Sequence, residues 1–173
     1  MKVKVKFGIL LLSLTLSGCG GIPISSEVYF GEVVSEDITA QFVRVIARPP
    51  SEGMTPETIV RGFLDACADP AQDYGIARQY LVPESASAWN PDTGIEIYDV
   101  STMQISGEAP NLVAVAAKKG DITDLGKYAS ANPGAQTSSN FELIQDELGQ
   151  WRISKLSNGI LLSSGDVDRS FRS

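Results

Sequence analysis

Hydrophobic and polar positions change their period three times along the chain. Phe7 to Leu16 is a largely apolar run of ten residues behind Lys2, Lys4 and Lys6. As a helix it would reach only about 15 Å, half of the ~30 Å hydrocarbon core, so it reads as a signal-peptide core and not as a stable span. From Ile38 to Arg48 the chain is β-rich, with Val43, Val45 and Ala47 on one face and Arg44 and Arg48 on the other, until Pro49-Pro50 stops it. The period then becomes helical. Thr55 can cap, Pro56 suits the first helical position and Glu57 meets the positive end of the dipole. Behind them Ile59, Val60, Phe63, Leu64 and Cys67 form one apolar stripe, opposite Glu57, Thr58, Arg61 and Asp65.

Asp69-Pro70 ends that helix, 74–81 reads as a short second one, and 84–88 adds a third turn before Trp89 and Asn90-Pro91-Asp92. From Ile95 the period becomes two. Strands are expected at 95–100, 103–105, 112–117, 141–144 and 151–154. The stretch from Asp121 to Ser139 fits either a further strand around 127–129 or a loop. Helices followed by an antiparallel meander define an α+β fold, with two or three helices lying across one face of a curved sheet.

Composition narrows the chemistry. The 173 residues fit one domain beyond the signal segment. No histidine is present, which removes the commonest general base and the commonest metal ligand. The two cysteines, Cys19 and Cys67, are too few for a Cys-rich zinc site or a disulfide framework. Of 14 basic side chains three lie in the first six residues, leaving 11 against 21 acidic ones. Such an acidic body is unsuited to a nucleic-acid backbone. Phosphate loops, paired-carboxylate hydrolase signatures and metal clusters are not found, so no cofactor is expected.

The cysteines divide by context. Leu16-Ser17-Gly18-Cys19 is a lipobox: cleavage between Gly18 and Cys19 leaves Cys19 as the mature N-terminus, carrying an S-diacylglyceryl thioether and an N-acyl (palmitate-type) chain. The expected organisation is a lipoprotein signal peptide at 1–18, a lipidated linker at 19–35 and a folded domain at 36–173. Cys67, on the apolar stripe, reads as a small buried hydrophobe.

The residues also carry a family resemblance. Val45-Ile-Ala-Arg-Pro-Pro50, Thr55 to Ala66, Ala77-Arg-Gln-Tyr-Leu81, Trp89-Asn-Pro91, Gly149 to Ile153, Asn158 to Ser163 and Asp166 to Arg172 resemble the N-terminal region of the LpqB family of actinobacterial lipoproteins. That resemblance implies an NTF2-like version of the α+β fold. It also implies a longer protein, since family members add a GerMN-type domain and a β-propeller after this region. The implied role is at the outer face of the cell membrane, where the lipoprotein would associate with the extracytoplasmic part of the sensor kinase MtrB and modulate MtrA–MtrB two-component signalling in cell-wall homeostasis and division.

Two functional classes follow: a protein-interaction module without catalysis, and a pocket-bearing domain that binds a small wall-derived ligand or substrate. In an NTF2-like cone the acid, base or oxyanion donor would come from Asp65, Tyr80, Tyr98 or Asp99; each also has a simpler reading as a surface group or structural hydrogen-bond partner. Trp89 and Trp151 read as core. A cavity with convergent polar groups would favour the second class, and a filled interior the first.

Overall fold

The computed structural model describes residues 47–171, with side chains as far as residue 168. Helix α1 (Pro56–Ala66) follows from its sequence. Thr55 Oγ1 accepts the Thr58 N–H at 3.3 Å, Pro56 sits in the first turn, and Ile59, Val60, Phe63, Leu64 and Ala66 are buried. The cap satisfies one of the helix's orphan donors, and the stripe supplies the burial that a short helix needs to persist. Cys67 closes the helix inside the core.

Gly62 has a specific role. A Cβ there would stand 2.6 Å from the hydroxyl oxygen of Tyr80, a residue 2% exposed whose hydroxyl donates to the Arg48 carbonyl at 2.8 Å. Alanine favours helix by about 1 kcal/mol over glycine. Here the overlap with a pinned ring should reverse that sign. Gly62→Ala is expected to lower stability by about 1–2 kcal/mol net, as overpacking does, read as a lower urea midpoint at unchanged slope.

Helix α2 (Ala71–Arg78) differs from the expected 74–81. Gln72, Asp73 and Tyr74 are left-handed, with φ of 54°, 55° and 57°, and the right-handed turn follows them. Each such non-glycine residue costs roughly 1–2 kcal/mol. Arg78 clamps the turn: its Nε donates to the Asp73 carbonyl at 2.8 Å and its Nη2 reaches Asp73 Oδ2 at 2.7 Å. Leu81, expected in the helix, instead bridges to Ile153 in parallel fashion. Helix α3 (Pro83–Ala88) is tied to the sheet by Ser85 Oγ donating to the Ser154 carbonyl at 2.6 Å.

Seven strands follow: β1 (Gly94–Tyr98), β2 (Gln104–Glu108), β3 (Asn111–Thr123), β4 (Tyr128–Ser130), β5 (Gln136–Gln145), β6 (Trp151–Lys155) and β7 (Ile160–Ser163). Helix α4 (Ser164–Phe171) ends the described chain. The main path runs β6-β5-β3-β1-β7, with β2 and β4 paired to β3. β3 is the spine. Its first half pairs with β2 and β5 and its second half with β1 and β4, and the pairing slips between Ile97 and Tyr98. A slip of this kind bends a strand and increases its twist. The sheet is antiparallel except where β1 and β7 run parallel.

The result is a mixed α+β fold, helices first and then a curled, mostly antiparallel sheet. Details depart from the sequence reading. The expected strand at 95–100 stops at Tyr98, because Asp99 caps a 3₁₀ turn over Val100–Thr102. β3 and β5 extend well into the stretch expected to be polar connection, and β4 is the strand left open around residue 128. β7 and α4 were not expected at all. Ser163 begins α4 as a reciprocal cap: its Oγ donates to Asp166 Oδ2 at 2.5 Å and accepts the Asp166 N–H at 3.2 Å. The expected strand at 38–48 lies outside the described residues except for Ala47 and Arg48, which are not in a strand.

Candidate functional site

The space between helices and sheet is filled by aromatic side chains. Trp89, 4% exposed, meets the edge of Phe63 at a centroid distance of 5.3 Å and of Tyr74 at 5.8 Å, and Phe63 in turn meets Phe141 at 6.1 Å. Edge-to-face contacts of this kind add to area burial. Trp89 Nε1 donates to the Gly159 carbonyl at 3.2 Å, and the Arg78 guanidinium lies 5.3 Å from the indole centroid. Trp151 is partly buried against the same core. Both tryptophans therefore pack, as the sequence reading preferred.

Four residues were candidates for a chemical role. Tyr80 is spent on Arg48 and on the groove at Gly62. Tyr98 is buried in β1, and burial, then the charges of Asp65 and Asp166, push its phenol far above the ordinary range. It is a poor proton donor or acceptor at neutral pH. Asp65 stands at the surface of α1; desolvation raises its carboxyl pKa, Arg61 opposes that, and Asp166 adds to it. Electrostatics thus couple Asp65, Tyr98 and Asp166 across α1, β1 and α4. Asp166 is the member that sequence reasoning passed over, and the Ser163-x-x-Asp166 spacing was the available signal.

Asp99 is separate from that group. Ser101 Oγ donates to its Oδ1 at 2.6 Å, the Ser101 N–H does so at 3.0 Å, and Lys119 Nζ lies 3.0 Å from Oδ2. The Ser101 hydroxyl and Lys119 foremost hold its pKa down to about 2. The folded value lies below the ~3.9 of an unfolded aspartate, so its stabilisation is complete above about pH 4 and is lost as pH falls through 2. Accordingly Asp99→Asn should lower the urea midpoint at neutral pH, and the gap from the parent should close near pH 2. A gap that persisted in acid would assign the loss to something other than the carboxylate.

Cys67 is buried, and desolvation with the neighbouring charge of Asp65 pushes its thiol far above the reactive range, which suits the core role expected of it. Arg48 is exposed. Arg44, Gly18 and Cys19 lie outside the described residues, so cleavage and lipidation rest on the sequence.

Surface hollows are also present among the described residues, and two of them bear on the site. One, of about 430 Å³, lies where 93–96, 121–124, 138–139 and 157–161 converge; the other, of about 460 Å³, lies between 117–119 and the loop 130–136. Among the described residues no group of His, Cys, Asp and Glu is arranged to hold a metal, and no helix is long and apolar enough to cross a membrane.

These features define a mixed α+β domain without an evident catalytic centre among the described residues, and its relatives give the family. The family described as lipoprotein LpqB, N-terminal domain, matches residues 49–168. Similar proteins named lipoprotein LpqB occur in Mycobacterium paratuberculosis (30% identity over 165 residues, 90% of this chain and 26% of the relative) and in Cutibacterium acnes (29% over 160 residues, 92% and 26%). A third, in Thermobifida fusca, is 29% identical over 170 residues, 93% of this chain and 27% of its own length. The chain belongs to the LpqB lipoprotein family. It spans about a quarter of the length of these curated relatives. No solved structure matches it.

Proposed function

We propose that this protein is anchored through acylated Cys19 to the outer face of the cell membrane and modulates a sensor histidine kinase of the MtrA–MtrB type by protein-protein contact, without catalysis. The observation that carries this reading is the filled interior. Among the described residues, Phe63 packs edge to face on both Trp89 and Phe141 between the helices and the sheet, leaving that space to side chains. The helices-then-sheet order is what that fold class would give, and it supports the NTF2-like reading on topology alone. The groups nominated for proton transfer are committed elsewhere: Tyr80 to Arg48, and Asp99 to Ser101 and Lys119. A domain of this kind offers surface, and surface is what binding to a kinase requires.

The experiment is purification from native membranes. Mass spectrometry should find a mature N-terminus at Cys19 carrying diacylglyceryl and acyl groups, and the cognate kinase should co-purify with it. A free Cys19 thiol would remove the anchor. An acylated protein that never brings the kinase would leave an anchored domain with some other role.

A further inference from the structure

Asn158 is the one asparagine of five that precedes a glycine; Asn90 and Asn132 precede proline, Asn111 leucine and Asn140 phenylalanine. That dipeptide carries chemistry of its own. The Gly159 nitrogen, once it loses its proton, can attack Cγ of Asn158, because glycine has no side chain to shield it. A C–N bond forms to close a succinimide ring, and the side-chain nitrogen leaves as ammonia. Water then adds at one ring carbonyl and breaks its C–N bond. The product is aspartate or, where the chain is rerouted through the side chain, isoaspartate. Neither step needs an oxidant or a cofactor. A proline nitrogen has no proton to lose, which removes Asn90 and Asn132 from this path.

The fold ties up both reacting groups. The Gly159 N–H donates to the Asn90 carbonyl at 2.9 Å, and Asn158 Oδ1 accepts the Asn90 N–H at 3.0 Å. Both ends of the would-be ring are thus bonded to the backbone of one residue, 68 positions away in the chain. That residue is itself braced. Asn90 Oδ1 accepts the Asp92 N–H at 3.0 Å, and Nε1 of the preceding Trp89 donates to the Gly159 carbonyl at 3.2 Å. Asn158 is exposed, so water reaches it once these contacts part. Local opening is the ordinary route by which a folded chain frees such groups.

The same contacts separate the two products. Aspartate at position 158 keeps a side-chain oxygen for the Asn90 N–H. Isoaspartate lengthens the main chain by one carbon just before Ile160, which is buried and opens β7 against Ile95. Gly159 stands at φ +85°, with the Gly94 carbonyl 2.9 Å from where a Cβ would be, so the turn has little room for the extra atom. We propose that Asn158 is a self-modifying site: latched by Asn90 and Trp89 in the folded domain, it converts through a succinimide when the latch opens, and the isoaspartyl product prevents the latch from closing again. The reaction needs neither the lipid anchor nor a kinase.

The test is peptide mapping by mass spectrometry, with fragmentation that separates aspartate from isoaspartate. The mature protein in micelles is incubated at mildly alkaline pH, with and without denaturing guanidinium. In guanidinium Asn158 should convert ahead of Asn111 and Asn140, with isoaspartate among the products. Without it, conversion should be at least about tenfold slower. Trp89→Phe removes the indole N–H but keeps a ring in the core, so it should speed the native reaction about fivefold, the effect of one lost hydrogen bond on opening, and leave the denatured rate unchanged. Should Trp89→Phe fail to fold, Asn90→Ala, which removes only the brace to Asp92, reads the same effect. Isoaspartyl chains returned to buffer should show a lower urea midpoint than aspartyl ones. Equal rates with and without guanidinium, an Asn158 that stays intact when denatured, a native rate indifferent to the folded variant, or isoaspartyl chains as stable as the parent would each overturn the proposal.

Discussion

Trp89→Ala is expected to destabilise the domain by about 3–5 kcal/mol, the range for large aromatic truncations in a core. The indole is the hub between the helical layer and the β6–β7 connection. Its removal takes away edge contacts to Phe63 and Tyr74, the bond to the Gly159 carbonyl and the ring beneath Arg78. The residual cavity would sit among Phe63, Tyr74 and Arg78, where no flexible side chain can fill it without breaking another contact. Trp89→Phe should recover the packing but not the N–H bond, and so fall between the two. Urea unfolding followed by far-ultraviolet circular dichroism reads all three, and a loss below 1 kcal/mol for the alanine variant would contradict the assignment of Trp89 as hub.

Arg78→Leu should cost about 2–3 kcal/mol although Arg78 lies at the edge of the core. The guanidinium donates to the carbonyls of Asp73, Ala86 and Trp89, and pairs with the Asp73 carboxylate. Leucine keeps much of the apolar stem and leaves those acceptors without their donor, a deficit of order 1–3 kcal/mol for each buried group and less where water enters. Lysine would not substitute, because a point-charge ammonium cannot serve several carbonyls in the guanidinium's planar fork. Freed of its clamp, the left-handed turn at 72–74 should relax, so amide exchange there should quicken beyond the global change. Because Arg78 stacks on Trp89, the double variant with Trp89→Ala should lose less than the sum of the two, and strict additivity would contradict the cation–π contact.

Those two residues also mark what the sequence could reveal. α1 was readable because its cap, its proline and its stripe all pointed to the same helix. Trp89 was readable as core from its neighbours, but Arg78 was not singled out: its partners at 73, 86 and 89 meet only after the turn at 72–74 takes a conformation that no glycine there announces. β7 was missed because Ile160-Leu-Leu-Ser163 has no alternation, and short apolar runs fit helix and strand alike. Its parallel pairing with β1 joins segments about sixty residues apart, beyond the reach of any local pattern.

The site was legible in another way. Composition directed attention away from histidine and cysteine chemistry, and Asp65, Tyr98 and Asp99 all have shifted pKa values, the first two raised foremost by burial and the third lowered foremost by Ser101. Sequence could not distinguish Asp99, fixed in a turn by Ser101 and Lys119, from Asp65, which is coupled to Tyr98 and Asp166.

The central claim is that this domain acts by contact with a kinase. Its most direct test is a binding titration of the mature protein, residues 19–173, against the purified outward-facing domain of the cognate sensor kinase, with Trp89→Ala as the control for fold. The account predicts saturable one-to-one binding by the parent protein and loss of binding in the variant at temperatures where it is unfolded. A correctly folded parent protein that shows no binding at any concentration, beside a longer family member that does bind, would contradict it.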